Sequence, residues 1–244
     1  MHQTSELYKE ILKNKHRVET VVQVGGTGAV SMCQSIPGTV YGEDMIVSLT
    51  EKADLLNREA PGIGYFIGRR IELKLLNPPQ RIEMMGRIVP FSRLVETGTG
   101  RVSEWIPKGV FYVDTRKKSM ADMDAVTVTI TAYDAVLKSQ ADYTGENIAW
   151  PANDAAVVAD VARIIGTPCD TSNMTKSYGI SKPEDKTCGE VLSGIAVLYG
   201  GNFTIDDCGV LRLVPLTTAG TVEQIKCSSL KMSTPSEPIG SILM

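Results

Sequence analysis

The chain has 244 residues, enough for one or two domains that bury a core without help from disulfides or metals. Its 25 Lys and Arg against 28 Asp and Glu leave a net charge of −3, without the basic excess that binding to a phosphate backbone needs, so sequence-specific nucleic-acid recognition is not expected. Hydrophobic residues make up 43%, yet no apolar run approaches the roughly 20 residues of a membrane helix, which argues against a spanning segment.

The opening MHQTSELYKEILKNKHR lacks the apolar stretch and small-residue cleavage site of a secretory signal, so the chain is expected to be made in a cytoplasm and this arm reads as a tail. Strand-like alternation then dominates to about residue 135. Val18, Thr20, Val22 and Val24 share one face, as do Ile71, Leu73 and Leu75, and later Val126, Val128 and Ile130 opposite Thr127, Thr129 and Thr131. Turn formers recur between these runs, among them Gly25-Gly26, Pro37-Gly38, Asn77-Pro78-Pro79 and Lys108-Gly109. The pattern predicts an antiparallel β-barrel or sandwich over residues 1–144.

After Tyr143 the pattern changes. Thr144-Gly145-Glu146-Asn147 and Trp150-Pro151 read as a linker into a small α+β domain over 145–215, giving an α+β chain overall. Val157, Val158, Val161, Ile164 and Ile165 fall at helical spacing, with Asn153 or Asp154 as N-cap and Gly166 as a left-handed stop, which predicts a helix over 153–165. Thr187-Cys188-Gly189-Glu190 matches a capping box, and the helix it opens should stop at Gly200-Gly201. Two short apolar runs around Asp206-Asp207-Cys208-Gly209 predict a hairpin. Residues 216–244 turn polar and read as a linker and the truncated start of a further β domain, with a strand around 239–244.

Few residues suggest chemistry. Val24-Gly25-Gly26-Thr27-Gly28 resembles a strand and glycine-rich phosphate turn, but Pro37-Gly38 would cut short any following helix, so a loop or hairpin turn is expected and no cofactor. The five cysteines at 33, 169, 188, 208 and 227 include no Cys-x-x-Cys pair, so metal binding is not expected and reduced, mostly buried thiols are. The two histidines, His2 and His16, both lie in the opening arm and leave no evident general base; no catalytic residue is assigned. Asp122/Asp124 and Asp206/Asp207 read as turn residues that bond their own backbone. The connection 51–68 is long and apolar, carrying Leu55, Leu56, Ile63, Tyr65 and Phe66; it either plugs the core or packs on a neighbouring subunit.

Several stretches together carry a family resemblance. They are Tyr41-Gly42-Glu43-Asp44-Met45-Ile46, Arg70-Ile71-Glu72-Leu73-Lys74, Ser103-Glu104-Trp105-Ile106-Pro107-Lys108-Gly109-Val110-Phe111-Tyr112-Val113-Asp114-Thr115-Arg116, Val128-Thr129-Ile130-Thr131-Ala132-Tyr133-Asp134-Ala135-Val136-Leu137-Lys138, the helix pair, Tyr199-Gly200-Gly201-Asn202-Phe203 and Leu211-Arg212-Leu213-Val214-Pro215. In this order and spacing the chain resembles the tail-tip or baseplate hub proteins of tailed phages and prophages of Gram-positive bacteria, over most of residues 5–215. The resemblance implies a non-enzymatic structural subunit of the virion tail, with a tail-tube-like β domain followed by a small inserted α+β domain. It implies a homotrimer that closes the end of the tail tube and meets the distal tail protein and the tape measure protein. The chain departs from the family in a longer early hairpin at 25–33 and in stopping where a second tube-like domain should be completed. Two other readings stay open: a six-fold tail tube or adaptor protein of a phage-derived contractile particle, and an enzyme holding a nucleotide at Gly25–Gly28.

Overall fold

A computed structural model describes residues 4–27, 30–53, 62–122 and 125–216. The opening arm is a docked helix, where a tail was expected. Ser5 caps α1 (Glu6–Lys13), its hydroxyl accepting the Tyr8 N–H, and Ile11 on the inner face is fully buried. The Ser5 N–H and hydroxyl donate to the Glu104 carboxylate at 2.8 and 2.6 Å, and the Asn14 amide donates to Glu96 at 2.5 Å.

The first half then supplies β1 (His16–Val24), β2 (Thr39–Tyr41), β3 (Ile46–Ala53), β4 (Phe66–Ile67), β5 (Arg69–Leu76), β6 (Arg87–Glu96), β7 (Ile106–Pro107), β8 (Phe111–Asp122) and β9 (Ala125–Tyr133). All but β4 join one eight-stranded antiparallel sheet ordered β2-β1-β6-β8-β9-β5-β3, with β7 paired to β6. The expected alternation is present: Ile71, Leu73 and Leu75 are buried while Glu72 and Lys74 between them are exposed. Only Arg87 and Ile88 pair with Tyr112 and Phe111 where β6 meets β8. At that narrow join the sheet folds back, so that Val22, Tyr41 and Ile88 from one side share a core with Leu73, Leu75, Val113 and Ile130 from the other. The expected barrel does not close. Among the described residues the end strands β2 and β3 are not bonded to each other, because β2 covers β1 only at Val22–Val24 and β3 pairs only with β5.

The second half holds a 3₁₀ turn η1 (Ala135–Lys138), β10 (Ala152–Asn153), α2 (Asp154–Ile165), β11 (Cys169–Asp170), β12 (Gly179–Ile180), α3 (Cys188–Leu198), β13 (Gly201–Ile205) and β14 (Leu211–Pro215). The Asn153 side chain accepts the Ala155 N–H to start α2, and Gly166, at φ 70°, ends it where a Cβ would strain the backbone. Thr187 and Glu190 form the reciprocal capping box of α3. In the hairpin, Asp206 Oδ1 accepts the Cys208 and Val210 N–H groups, both at 2.9 Å. α3 packs on β13 and α2 on α3, and the two helices share one core with β13 and β14 that buries Val157, Val161, Ile165, Leu192, Ile195, Phe203 and Leu213. Each such side chain adds roughly 1.5–3 kcal/mol of transfer free energy. The sheet here is ordered β11-β14-β13-β4, so its outer strand comes from the first half of the chain.

Of the described cysteines, Cys188 is buried, whereas Cys33, Cys169 and Cys208 are only half-buried, where mostly buried thiols were expected. Among the described residues no helix is long and apolar enough to cross a membrane.

Candidate functional site

Two regions carry the features that could act: the open side of the folded sheet, and the junction between the two halves. On the open side, β1 from His16 to Val21 has β6 on one edge and no bonded strand on the other among the described residues, and β3 is likewise paired on one edge. The two edges face a groove of about 380 Å³ lined by Val18, Thr20, Leu49, Glu51, Pro90 and Lys108. Val18 and, on β3, Val47 are 56% and 52% exposed. A row of unpaired backbone N–H and C=O groups beside exposed valines is a template for adding another strand.

At the junction sits Arg69, the first residue of β5 and only 8% exposed. Its guanidinium bonds Glu51 at 3.1 Å, Asp207 at 2.5 Å and the Asp206 carbonyl at 3.2 Å, and lies 5.5 Å from the Phe111 ring centroid. It thus ties β3 to the β13–β14 turn. Gly109, at φ 130°, leaves the room this needs: a Cβ there would collide with the guanidinium and the Phe111 ring. The Arg69 N–H donates to the fully buried Asp134 at 2.7 Å, and the other Asp134 oxygen accepts from Val136 at 3.0 Å to start η1. Burial pushes the Asp134 carboxyl up to about 6, against the pull of those two N–H groups and of Arg69. Burial also raises Glu51, with Arg69 opposing it. Glu96 shows the reverse: hydrogen bonds from Arg101, Thr99 and Asn14 hold it down to about 2.

Beside Arg69, residues 62–67 run along β13. Fully buried Asn202 holds this run, its Oδ1 accepting the Tyr65 N–H at 3.0 Å and its Nδ2 donating to the Gly62 carbonyl at 3.1 Å. Phe66 and Ile67 then pair in parallel with Phe203 and Thr204. Of the five residues expected to form an interface loop, Leu55 and Leu56 lie outside the described residues. Tyr65 and Phe66 are half-buried, Phe66 against the helix core, and Ile63 is 46% exposed.

The remaining sequence candidates fall elsewhere. Gly25 and Gly26 take positive φ after β1, and the described chain goes on to a single bridge at Cys33 and to β2, without the helix a phosphate turn opens onto. His16 turns its Nδ1 to the Asn14 carbonyl at 2.7 Å, and His2 lies outside the described residues. Asp206 bonds its own turn as expected, but Asp207 reaches across to Arg69. Sequence reasoning missed Arg69, Asp134 and Asn202; the signals were Asp134 and Asn202 standing within the family stretches.

No protein-family model matches the chain, and no curated protein sequence matches it. Solved structures do. The 43 kDa tail protein of prophage MuSo2 from Shewanella oneidensis superposes with a TM-score of 0.54 at 15% identity, over 83% of this chain and 57% of that one. The tail protein from Neisseria meningitidis MC58 superposes with a TM-score of 0.50 at 9% identity, over 80% of this chain and 50% of that one. The chain thus spans between half and three-fifths of the length of these neighbours. The likeness is one of fold: a mostly antiparallel sheet with helices, α+β overall, shared with part of each of these two tail proteins.

Proposed function

We propose that this chain is a non-enzymatic structural subunit of a phage or prophage tail, part of the tip or baseplate hub that closes the end of the tail tube. In this reading it assembles as a homotrimer, with the distal tail protein and the tape measure protein as neighbours. The observation that carries the proposal is the folded sheet with two unpaired, valine-bearing edges on a shared groove, in a fold common to prophage tail proteins. A subunit of a closed ring must satisfy its edge strands on its neighbours, and these edges suit that purpose. The interface candidates Leu55, Leu56, Ile63, Tyr65 and Phe66 belong, in sequence, to the stretch that leads from β3 into β4. A mildly acidic chain also suits a conduit whose wall must not hold DNA.

The test is the mass in solution by light scattering over a range of concentrations, for this chain and for one extended beyond Met244. Trimers that form more readily in the longer chain support a hub. Hexamers support a tube or adaptor subunit instead. Strict monomers of both rule out intrinsic self-assembly, and a melting temperature raised by NAD or ATP would revive the nucleotide reading.

A further inference from the structure

On β8, two cations stand on the face that the sheet turns to the core. Residues directly opposite in an antiparallel pair share a face, and Arg116 and Lys118 lie opposite Ile130 and Val128, which are 0% and 8% exposed. A bulge puts them there. Between Val113 and Thr115 the register slips by one residue, so that Arg116 and Lys118, not Thr115 and Lys117, follow Val113 onto the inner face. The loop after β5 lies over this face. The Arg116 guanidinium donates to the Ile82 carbonyl at 2.7 Å, and the Asn77 side chain accepts the Val126 N–H at 2.7 Å.

Between β8 and β9 and this loop lies a groove of about 530 Å³. Val126, Val128, Pro78 and Pro79 make its sides apolar, Arg81, Arg116 and Lys118 give it charge, and no carboxylate lines it. Arg81 also pairs with Glu83 at 3.1 Å, but those side chains are 68% and 65% exposed, and a pair so open to water is weakly held. A chain of net charge −3 thus gathers positive charge in one concave, apolar-walled place, which focuses its field on an anion. The other features of the groove select the kind of anion. Pro78 and Pro79 offer no N–H to a small ion, and no aromatic side chain is present to stack a nucleic-acid base. An extended peptide suits both properties of the groove, since its alternate side chains point opposite ways: carboxylates meet the cations while the residues between them meet the valines and prolines. We propose that this groove binds an extended acidic segment of another protein. Such binding requires no assembly of the chain, so its failure would leave the tail-tip reading untouched.

The probe is a short fluorescein-labelled peptide of alternating glutamate and valine, followed by fluorescence anisotropy with the full chain. Binding should appear at about 20 mM salt and weaken at least tenfold at about 300 mM, as the charges are screened. The double substitution Arg81→Glu with Lys118→Glu should also weaken it at least tenfold; both residues are exposed, so the melting temperature should hold. Lys13→Glu with Lys52→Glu, two exposed cations on other elements, should change it less than twofold. Should the groove variant unfold, Lys118→Ala alone, expected to weaken binding at least threefold, decides. No binding up to about 0.5 mM protein overturns the proposal, as does binding that the folded groove variants keep or that the control pair loses equally. A thymidine oligonucleotide bound more tightly than the peptide assigns the groove to nucleic acid, and equal binding of a lysine–valine peptide shows apolar adhesion alone; either result overturns the proposal.

Discussion

Arg69 and Asp134 set the balance of charge where the two halves meet. Replacing Arg69 with Met leaves Glu51 and Asp207 facing each other without their shared cation. The expected loss is about 2–3 kcal/mol in a urea melt, less than for a fully buried pair because those two side chains keep 34% and 37% exposure. Asp134 predicts a pH dependence of definite sign. Its carboxyl is raised from 3.8 to about 6 in the folded chain, so the native state keeps a proton that the unfolded chain releases near 3.8. That contribution to stability is full below about 3.8 and is lost as the pH rises through about 6, to the extent of roughly 2–3 kcal/mol. In Asp134→Asn this slope should vanish, although the variant should be less stable at low pH, since the Arg69 and Val136 N–H groups bond different carboxyl oxygens and the amide nitrogen that replaces one of them can only donate. Melting temperatures of the two proteins between pH 4 and pH 7 check it; parallel curves would show that Asp134 does not titrate in this window. Glu96 acts in the opposite sense: its contribution holds above about 4.5 and fades as the pH falls toward 2, which loosens the anchor of α1 in acid.

At the scale of elements, the decisive piece is β4, which pairs with β13 and is led in by a run that the Asn202 side chain bonds twice. Asn202→Ala removes both bonds to residues 62–65 and leaves the Tyr65 N–H and Gly62 carbonyl without those partners. The cost should be about 2–3 kcal/mol, with hydrogen exchange at Tyr65 and Phe203 rising more than at α2. If α2 and β13 lost protection equally, β4 would not be a separable unit. The elements legible in the sequence are those made by local rules. Asn153 and Gly166 bound α2, Thr187 and Glu190 open α3, Asp206 shapes the hairpin, and period-two alternation marks β5 and β9. What stayed hidden is non-local. β4 is two residues long and pairs with a strand about 137 positions later, α1 buries a single residue, and the bend at Arg87 depends on how few pairs join β6 to β8. Arg69 is one of 25 basic residues, and nothing in its neighbours' identities announces that it lies among carboxylates. No periodicity can carry such information, since it arises only when distant segments meet.

For the whole molecule, the open sheet predicts where association should be weakened. Val18→Lys combined with Val47→Lys places charge on both free edges without touching a buried side chain, so the fold should persist within about 0.5 kcal/mol. If the chain assembles as proposed, the mass measured by light scattering at high concentration should fall toward that of the monomer, and assemblies unchanged by both lysines would locate the contact elsewhere. The strand that the first half lends to the second also sets a timetable for biosynthesis. A ribosome releases Phe66 and Ile67 long before Gly201–Ile205 exists to pair with them, so the β3–β5 region waits, unfinished, until that later stretch is made. The Asp207 partner of Arg69 arrives in the same late stretch. A newly made chain can therefore settle its junction only after its α+β half has emerged.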